Sequence, residues 1–313
     1  MKFKKPKFWD FNKPSFISYL LVIFTVPVII NNFLLSLKNK KKCQLKTICI
    51  GNIYIGGTGK TSTTIKLYNI LKDLKYNVVT GKKFYKSQID EQILLKNKTI
   101  LIQAPNRKTI IKKALENRHE LIIFDDGLQD KKISYDLQFV CFDGNNWIGN
   151  GQLIPAGPLR EKLTSIKKYD AVFLKDFKDK NIYEILKKIN PQIKIFNTFY
   201  EIKNLQSLDL NYNYLIFSGI GNPIGFKKIL LNNNLNIVDE LIYPDHFNYT
   251  NEEISNIKKR AENIGAKIIT TEKDYVKIPC QNRDNINFCE VNLRIDNEED
   301  LTNFIKTKIN EIH

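Results

Sequence analysis

Cysteine is sparse in this sequence. It stands at Cys43, Cys49, Cys141, Cys280 and Cys289, with no CxxC pair. An odd count without ligand spacing excludes a disulfide framework and a zinc site, and fits free thiols in a reducing compartment. The three histidines, His119, His246 and His313, are too scattered to suggest a metal cluster. Ten prolines and 14 glycines are too few for a fibrous or linker-dominated chain. Arginine is scarce too, with only six among 49 basic residues.

What the chain does have is an apolar content of 42% over 313 residues. That suffices for one large domain or two modest ones around a proper core. The net charge of +16 suggests an anionic partner: nucleic acid, anionic lipid or a phosphorylated substrate. The abundance of Lys, Asn and Ile offers a second reading, a compositional bias that leaves a basic, solvated surface with no dedicated partner.

One long apolar run stands near the start. Phe16 to Leu37 reads FISYLLVIFTVPVIINNFLLSL, with Lys2, Lys4, Lys5 and Lys7 before it and further lysines from Lys38 to Lys42 after it. Its length suits a spanning helix, but Pro27, Asn31 and Asn32 interrupt it. No small-residue cleavage site marks it as a signal peptide. A helix lying in the membrane interface, with lysines reaching anionic head groups, is the preferred reading; a buried core helix is the other.

Beyond Lys46, short apolar runs alternate with helical spacing. TICI (Thr47 to Ile50), Val78-Val79, ILIQ (Ile100 to Gln103), LIIF (Leu121 to Phe124), FVCF (Phe139 to Phe142) and AVFL (Ala171 to Leu174) read as strands. Lys60 to Leu74 and Thr109 to Leu115 read as helices. This alternation predicts an α/β fold, a P-loop NTPase-like, mostly parallel sheet flanked by helices. A second set begins at YLIFS (Tyr214 to Ser218) and continues through Pro223 to Leu231, Glu252 to Ile264 and Lys267 to Thr270. The expected organisation is an apolar N-terminal helix segment (1–42), a P-loop core domain (43–205) and a smaller C-terminal α/β domain (206–313).

The strongest chemical signal is Gly51-Asn-Ile-Tyr-Ile-Gly-Gly-Thr-Gly-Lys-Thr61. A strand, a glycine-rich turn and Lys-Thr opening a helix form a phosphate nest, with backbone N–H groups and the helix N-terminus facing the anion. Gly56, Gly57, Thr58 and Gly59 would line it, Lys60 would reach the β- and γ-phosphates, and the Thr61 hydroxyl would ligate Mg²⁺. The first glycine of the usual pattern is replaced by Tyr54. Some 65 residues after Lys60, Asp125 and Asp126 follow an apolar strand. Carboxylates at the end of a neighbouring parallel strand would face the loop and could hold Mg²⁺ or orient its waters. Asp90-Glu91, Arg107, Arg160 and Glu161 are unremarkable alone. His246, in Pro-Asp-His-Phe, is an acid–base candidate only if the chain returns it to the nucleotide.

These motifs together resemble the lipid A tetraacyldisaccharide 4'-kinase family. The resemblance rests on GNIYIGGTGKT (51–61), DDGLQ (125–129), GNGQLIPAGPLRE (149–161), FSGIGNP (217–223), YPDHFNY (243–249) and TTEKD (270–274), in order over nearly the whole chain. It implies phosphorylation of the 4'-hydroxyl of a tetraacyldisaccharide 1-phosphate by ATP and Mg²⁺, giving lipid IVA, at the cytoplasmic face of the bacterial inner membrane. Carried over by position, Lys60 and Thr61 hold phosphates and metal, Asp125 and Asp126 place the metal with Gln129 nearby, and Arg107, Arg160 and Glu161 line the nucleotide and metal site. Asp90 matches the family's catalytic base and His246 its partner. This chain departs from the family at Ile89-Asp90-Glu91-Gln92, where Gly-Asp-Glu-Pro is usual. It departs again at Gly81 to Tyr85, which replaces Arg-Gly-Tyr-Gly, and at Ser62, where proline is common.

The expected step is in-line transfer, with Asp90 and His246 accepting the hydroxyl proton and domain closure assembling the site. Expected partners are the acylated disaccharide phosphate lipid and an anionic membrane surface. No nucleic acid is expected, and the enzyme is taken as a peripheral or monotopic monomer. A P-loop nucleotide-hydrolysing switch at the membrane is the main alternative, and a basic nucleic-acid-binding protein the second. The guanine-reading [NT]KxD spacing is not matched by Thr271-Glu272-Lys273-Asp274.

Overall fold

Short runs of branched apolar residues set the architecture, because a strand buried on both faces must be apolar throughout. The computed structural model describes all residues except 1–4, 38–40, 86–87, 131, 177–178 and 313. Lys2, Lys4, Lys38, Lys40 and His313 therefore lie outside the described residues.

In chain order the elements are α1 (Phe16–Leu21), a 3-10 turn (Val22–Thr25), α2 (Val26–Ser36), β1 (Lys41–Lys42), β2 (Lys46–Gly51), α3 (Lys60–Asp73), β3 (Val78–Lys83), α4 (Ile89–Lys98), β4 (Leu101–Ala104), α5 (Arg107–Glu116) and β5 (Leu121–Asp125). There follow β6 (Ile133–Ser134), β7 (Leu137–Asp143), β8 (Ala171–Lys175), α6 (Lys180–Ile189), β9 (Lys194–Ile202), β10 (Asn213–Ser218), α7 (Pro223–Asn232) and β11 (Asn236–Ile242). The last are α8 (Asn251–Asn263), β12 (Lys267–Thr271), α9 (Glu272–Tyr275), β13 (Ile286–Cys289), β14 (Val291–Ile295) and α10 (Glu298–Asn310).

The chain divides into two compact units. The larger holds the described parts of 5–84, 98–199 and 295–312; the smaller holds those of 85–97 and 200–294. Two segments thus group away from their sequence neighbours. Residues 85–97, which carry Asp90, group with 200–294 rather than with the phosphate loop. Helix α10 groups with the larger unit, because Leu301, Ile305 and Ile309 on one helical face join the core that contains Leu67 and Leu71 of α3.

The larger unit is built on strands in the order β9-β8-β7-β2-β5-β3-β4. Neighbours from β9 through β4 all run parallel. Ile48 and Ile50 of β2 point into one core layer and Cys49 into the other, so both faces are covered. The register sets Ile50 of β2 opposite Asp125 of β5. The loop strand and the carboxylate strand are therefore adjacent and end at one level. The smaller unit is a parallel four-stranded sheet, β11-β10-β12-β13, with separate apolar cores on its two faces.

The N-terminal helix inverts the usual pattern. Its buried residues are polar: Ser18 and Thr25, with Asn150 Nδ2 donating to Ser18 Oγ at 2.9 Å. Phe16, Leu20, Ile23, Phe24, Phe33 and Leu34 are exposed. Only 11% of Phe16–Leu35, a stretch long and apolar enough to cross a membrane, is buried. It is therefore not a core helix. Pro27 does not break it, because it falls in the first turn of α2, where its missing N–H costs nothing. Asn32 donates to the Arg160 carbonyl at 3.0 Å, and Trp9 Nε1 to that of Pro155 at 3.0 Å.

Candidate functional site

In the larger unit, β2 ends at Gly51 and the chain turns into α3 at Lys60. Gly59 is the helix N-cap at φ 84°, a left-handed conformation that favours glycine. A side chain at Gly51 would meet Leu128 at 2.6 Å. Asn52 braces the turn, donating to the Gly56 carbonyl at 3.2 Å and to Thr58 Oγ1 at 3.0 Å. Tyr54, the departure from the usual loop, turns into an apolar cluster with Leu153 and Leu159, and its hydroxyl donates to Asp10 at 2.7 Å. The substitution leaves GGTGKT open at the helix N-terminus, with Gly57 exposed.

Asp125 is buried at the end of β5. Its Oδ2 accepts from Thr61 Oγ1 at 3.2 Å and its Oδ1 from Thr64 Oγ1 at 3.3 Å. Lys82 Nζ, on β3, lies 2.6 Å from the same Oδ2. Asp126 has φ 58°, which turns its side chain from the strand toward Lys60 at 3.8 Å and Arg160 at 3.4 Å. Gln129 donates to the Asn52 carbonyl at 2.9 Å and accepts from Arg160 at 3.2 Å. It also lies 3.4 Å from Glu161, which accepts from the Tyr169 hydroxyl at 3.4 Å. The loop, DDGLQ and LRE segments thus meet in one network.

Arg107 lies against the DDGLQ turn. Its guanidinium is buried, donating to Asp130 at 2.8 Å and to the Asp126 carbonyl. It holds the DDGLQ turn in shape.

Among the described residues no group of three or more His, Cys, Asp or Glu could cage a metal. The donor set still fits Mg²⁺, which keeps several waters and takes one or two carboxylates plus substrate phosphates. Thr61 and Asp125 supply a hydroxyl and a carboxylate side by side at the mouth of the loop.

The smaller unit carries a second constellation. Asp90, near the start of α4 and 2% exposed, meets His246 Nδ1 through both oxygens, at 2.8 and 3.0 Å. The two are 156 residues apart in sequence. His246 sits at φ 56°, its N–H donating to the Gly219 carbonyl at 3.0 Å. Burial alone would lower its pKa. The Asp90 hydrogen bond and the charges of Asp245, Asp90 and Glu91 outweigh that and raise it. Burial likewise pushes Asp90 up, but the His246 hydrogen bond and the nearby Lys273 charge bring it below the usual carboxylate value.

Sequence reasoning missed three groups here and in the loop. Lys273 pairs with Glu91 at 3.1 Å. Asp274, fully buried, accepts from the Gly219 N–H and the Tyr249 hydroxyl, each at 3.0 Å, and pairs with Lys277 at 2.7 Å. FSGIGNP, YPDHFNY and TTEKD therefore converge on one carboxylate. Lys82 is the third, and its only signal was a lysine at the end of an otherwise buried strand.

A parallel sheet with a glycine-lined turn at the head of α3, and a carboxylate on the next strand against its threonine, defines a P-loop NTPase-like protein. Residues 16–310 match the family described as tetraacyldisaccharide-1-P 4'-kinase. A tetraacyldisaccharide 4'-kinase of Pelagibacter ubique (strain HTCC1062) is 46% identical over 316 residues, covering 99% of both chains. One of Rickettsia canadensis (strain McKiel) is 35% identical, covering 95% of both. The chain belongs to the tetraacyldisaccharide 4'-kinase family and is a kinase of lipid A biosynthesis. The fold agrees with that of LpxK from Aquifex aeolicus, solved with ATP: the TM-score is 0.69 at 24% identity, covering 93% of this chain and 99% of that one. Family membership sets aside the nucleotide-hydrolysing switch.

Proposed function

We propose that the phosphate loop and the Asp90–His246 dyad divide the transfer of the γ-phosphate of ATP to the 4'-hydroxyl of tetraacyldisaccharide 1-phosphate. The observation that carries this reading is the Asp125 carboxylate against Thr61 at the mouth of a glycine-lined loop. Backbone N–H groups of Gly56 to Gly59 and the head of α3 cradle the phosphates. Lys60 and Arg160, both beside Asp126, offset charge on the moving phosphoryl group. Thr61, Asp125 and Asp126 would hold Mg²⁺, with Glu161 joined to them through Gln129 and Arg160. The metal supplies charge neutralisation on the donor phosphates when bound.

The dyad accepts the acceptor proton. With Nδ1–H donating to Asp90, the imidazole is held in one orientation and Nε2 is the accepting nitrogen. Arg107 serves this scheme by holding the Asp126 turn.

The exposed apolar side chains of Phe16–Leu35 support a place at the membrane surface, where the acylated substrate resides. We assign the enzyme to the cytoplasmic face of the inner membrane, as a peripheral or monotopic monomer.

Incubation with labelled ATP, Mg²⁺ and disaccharide 1-phosphate lipid in mixed micelles tests the reading. Label should appear in a bisphosphorylated lipid. Release of label to water alone, with none in lipid, would overturn it.

A further inference from the structure

Lys82 is a charged side chain with no part in the scheme above, yet it is 1% exposed. It lies at the C-terminal end of β3, and β3 is the strand next to β5 on the side away from the loop strand. Its ammonium group is 2.6 Å from Asp125 Oδ2, the oxygen that also accepts from Thr61. Asp125 thus stands between a fixed cation and the loop hydroxyl.

An ammonium ion and a carboxylate out of water are each costly alone and tolerable only together. In this chain Gly81-Lys82-Lys83 ends the strand, and a side chain at Gly81 would collide with Ile122, Ile110 and Phe124. From this strand the lysine ammonium reaches the Asp125 carboxylate. A buried carboxylate beside a metal-binding hydroxyl needs a counter-charge whenever no divalent cation is near.

We propose that Lys82 is the resident counter-ion of Asp125: a positioning residue that fixes this carboxylate against Thr61 and balances its charge when no metal–nucleotide is bound. The inference rests on reading the loop as the metal–nucleotide site. It has a consequence of definite sign. The Lys82 cation repels a divalent ion approaching Asp125. Removing it should make the site attract Mg²⁺ more strongly, while the misplaced carboxylate slows turnover. A purely structural lysine would not link those two effects.

The test is thermal unfolding of the full-length protein with and without millimolar Mg²⁺, no nucleotide present, for wild type, Lys82→Met, Asp125→Asn and the double variant. Lys82→Met should melt roughly 10 °C lower than wild type without metal, the size expected for an uncompensated buried charge. Mg²⁺ should return several degrees to Lys82→Met and almost nothing to wild type. The double variant, with neither charge, should melt near wild type and not respond to Mg²⁺, which keeps the test open if Lys82→Met alone does not fold. In single-turnover assays Lys82→Met should need less Mg²⁺ for half-maximal rate while its maximal rate falls at least tenfold. The proposal is overturned if Lys82→Met melts like wild type. It is overturned equally if its loss is neither relieved by Mg²⁺ nor repaired by Asp125→Asn. Failure of the loop reading is distinguishable: Lys60→Ala would then bind ATP as wild type does, whatever the Lys82 variants show.

Discussion

Asp274 shows how one residue can hold several motifs in place. It is fully buried, and its two oxygens accept from the Gly219 N–H, Thr271 Oγ1 and the Tyr249 hydroxyl while Lys277 neutralises it. Asp274→Leu would leave Lys277 buried without its partner. The expected loss is about 3–5 kcal/mol, the usual cost of breaking a buried pair from one side. Urea unfolding followed by near-UV circular dichroism measures it, and a loss below about 1 kcal/mol would show the hub to be replaceable. The dyad makes a prediction in pH. The folded pKa of His246 is raised above 6.5, so its contribution to stability is complete below 6.5 and is lost as pH rises through the raised value. That of Asp90 is lowered below 3.8, so its contribution is complete above 3.8 and is lost as pH falls through the lowered value. Wild type should therefore exceed Asp90→Asn in melting temperature most between these two ordinary values. Proton NMR titration of His246 should show its pKa falling in Asp90→Asn. In turnover, Asp90→Asn should lose about 10²-fold or more, with the KM for ATP nearly unchanged. A His246 pKa that is the same in both proteins would separate the two residues. The loop was legible because its chemistry is local: eleven consecutive residues hold strand end, turn and helix head. The dyad was not legible from residues alone, because only the folded chain brings position 90 to position 246. Lys82 was hidden for a different reason. A buried lysine reads as a surface lysine until its partner is known.

At the scale of elements, strands were the easier part. TICI, LIIF, FVCF and AVFL are buried on both faces and announce themselves as unbroken apolar runs. Strand β11 is half-buried, with Asn236, Asp239 and Glu240 in it, and gave no such run. Helix α4 is short and begins Ile-Asp-Glu-Gln, so it reads as a polar loop. Its buried Asp90, Glu91 and Gln92 are satisfied by His246, Lys273 and backbone carbonyls that sequence cannot locate. The N-terminal helix left spanning, interfacial and core readings open, and the exposure of its apolar side chains excludes the core one. Because Ile23 and Phe24 are exposed in the 3-10 turn, replacing both with Asp should leave the melting temperature within about 2 °C of wild type. The same change should weaken vesicle binding about 100-fold or more, since each inserted apolar side chain is worth about 1.5–3 kcal/mol. A large drop in melting temperature instead would mean that these side chains pack against protein.

For the whole molecule, the open quantity is the net charge of +16. Two attractions to a membrane are available, and they differ in their response to salt. Insertion of apolar side chains from Phe16–Leu35 depends on area removed from water and is little affected by screening. Attraction of lysines to anionic head groups is worth about 1 kcal/mol for each that reaches the surface, and it is cut off beyond a Debye length of roughly 10 Å at 0.1 M salt. Binding to vesicles containing phosphatidylglycerol should therefore weaken at least tenfold between about 0.1 and 1 M NaCl, while binding to purely zwitterionic vesicles should change little. The Ile23→Asp, Phe24→Asp protein should lose affinity for both kinds of vesicle at every salt concentration. A salt-independent affinity for anionic vesicles would mean that the lysine excess is a solvated surface, with the helix alone responsible for attachment. The charge would then reflect the Lys-, Asn- and Ile-rich composition of the chain rather than selection for a charged partner.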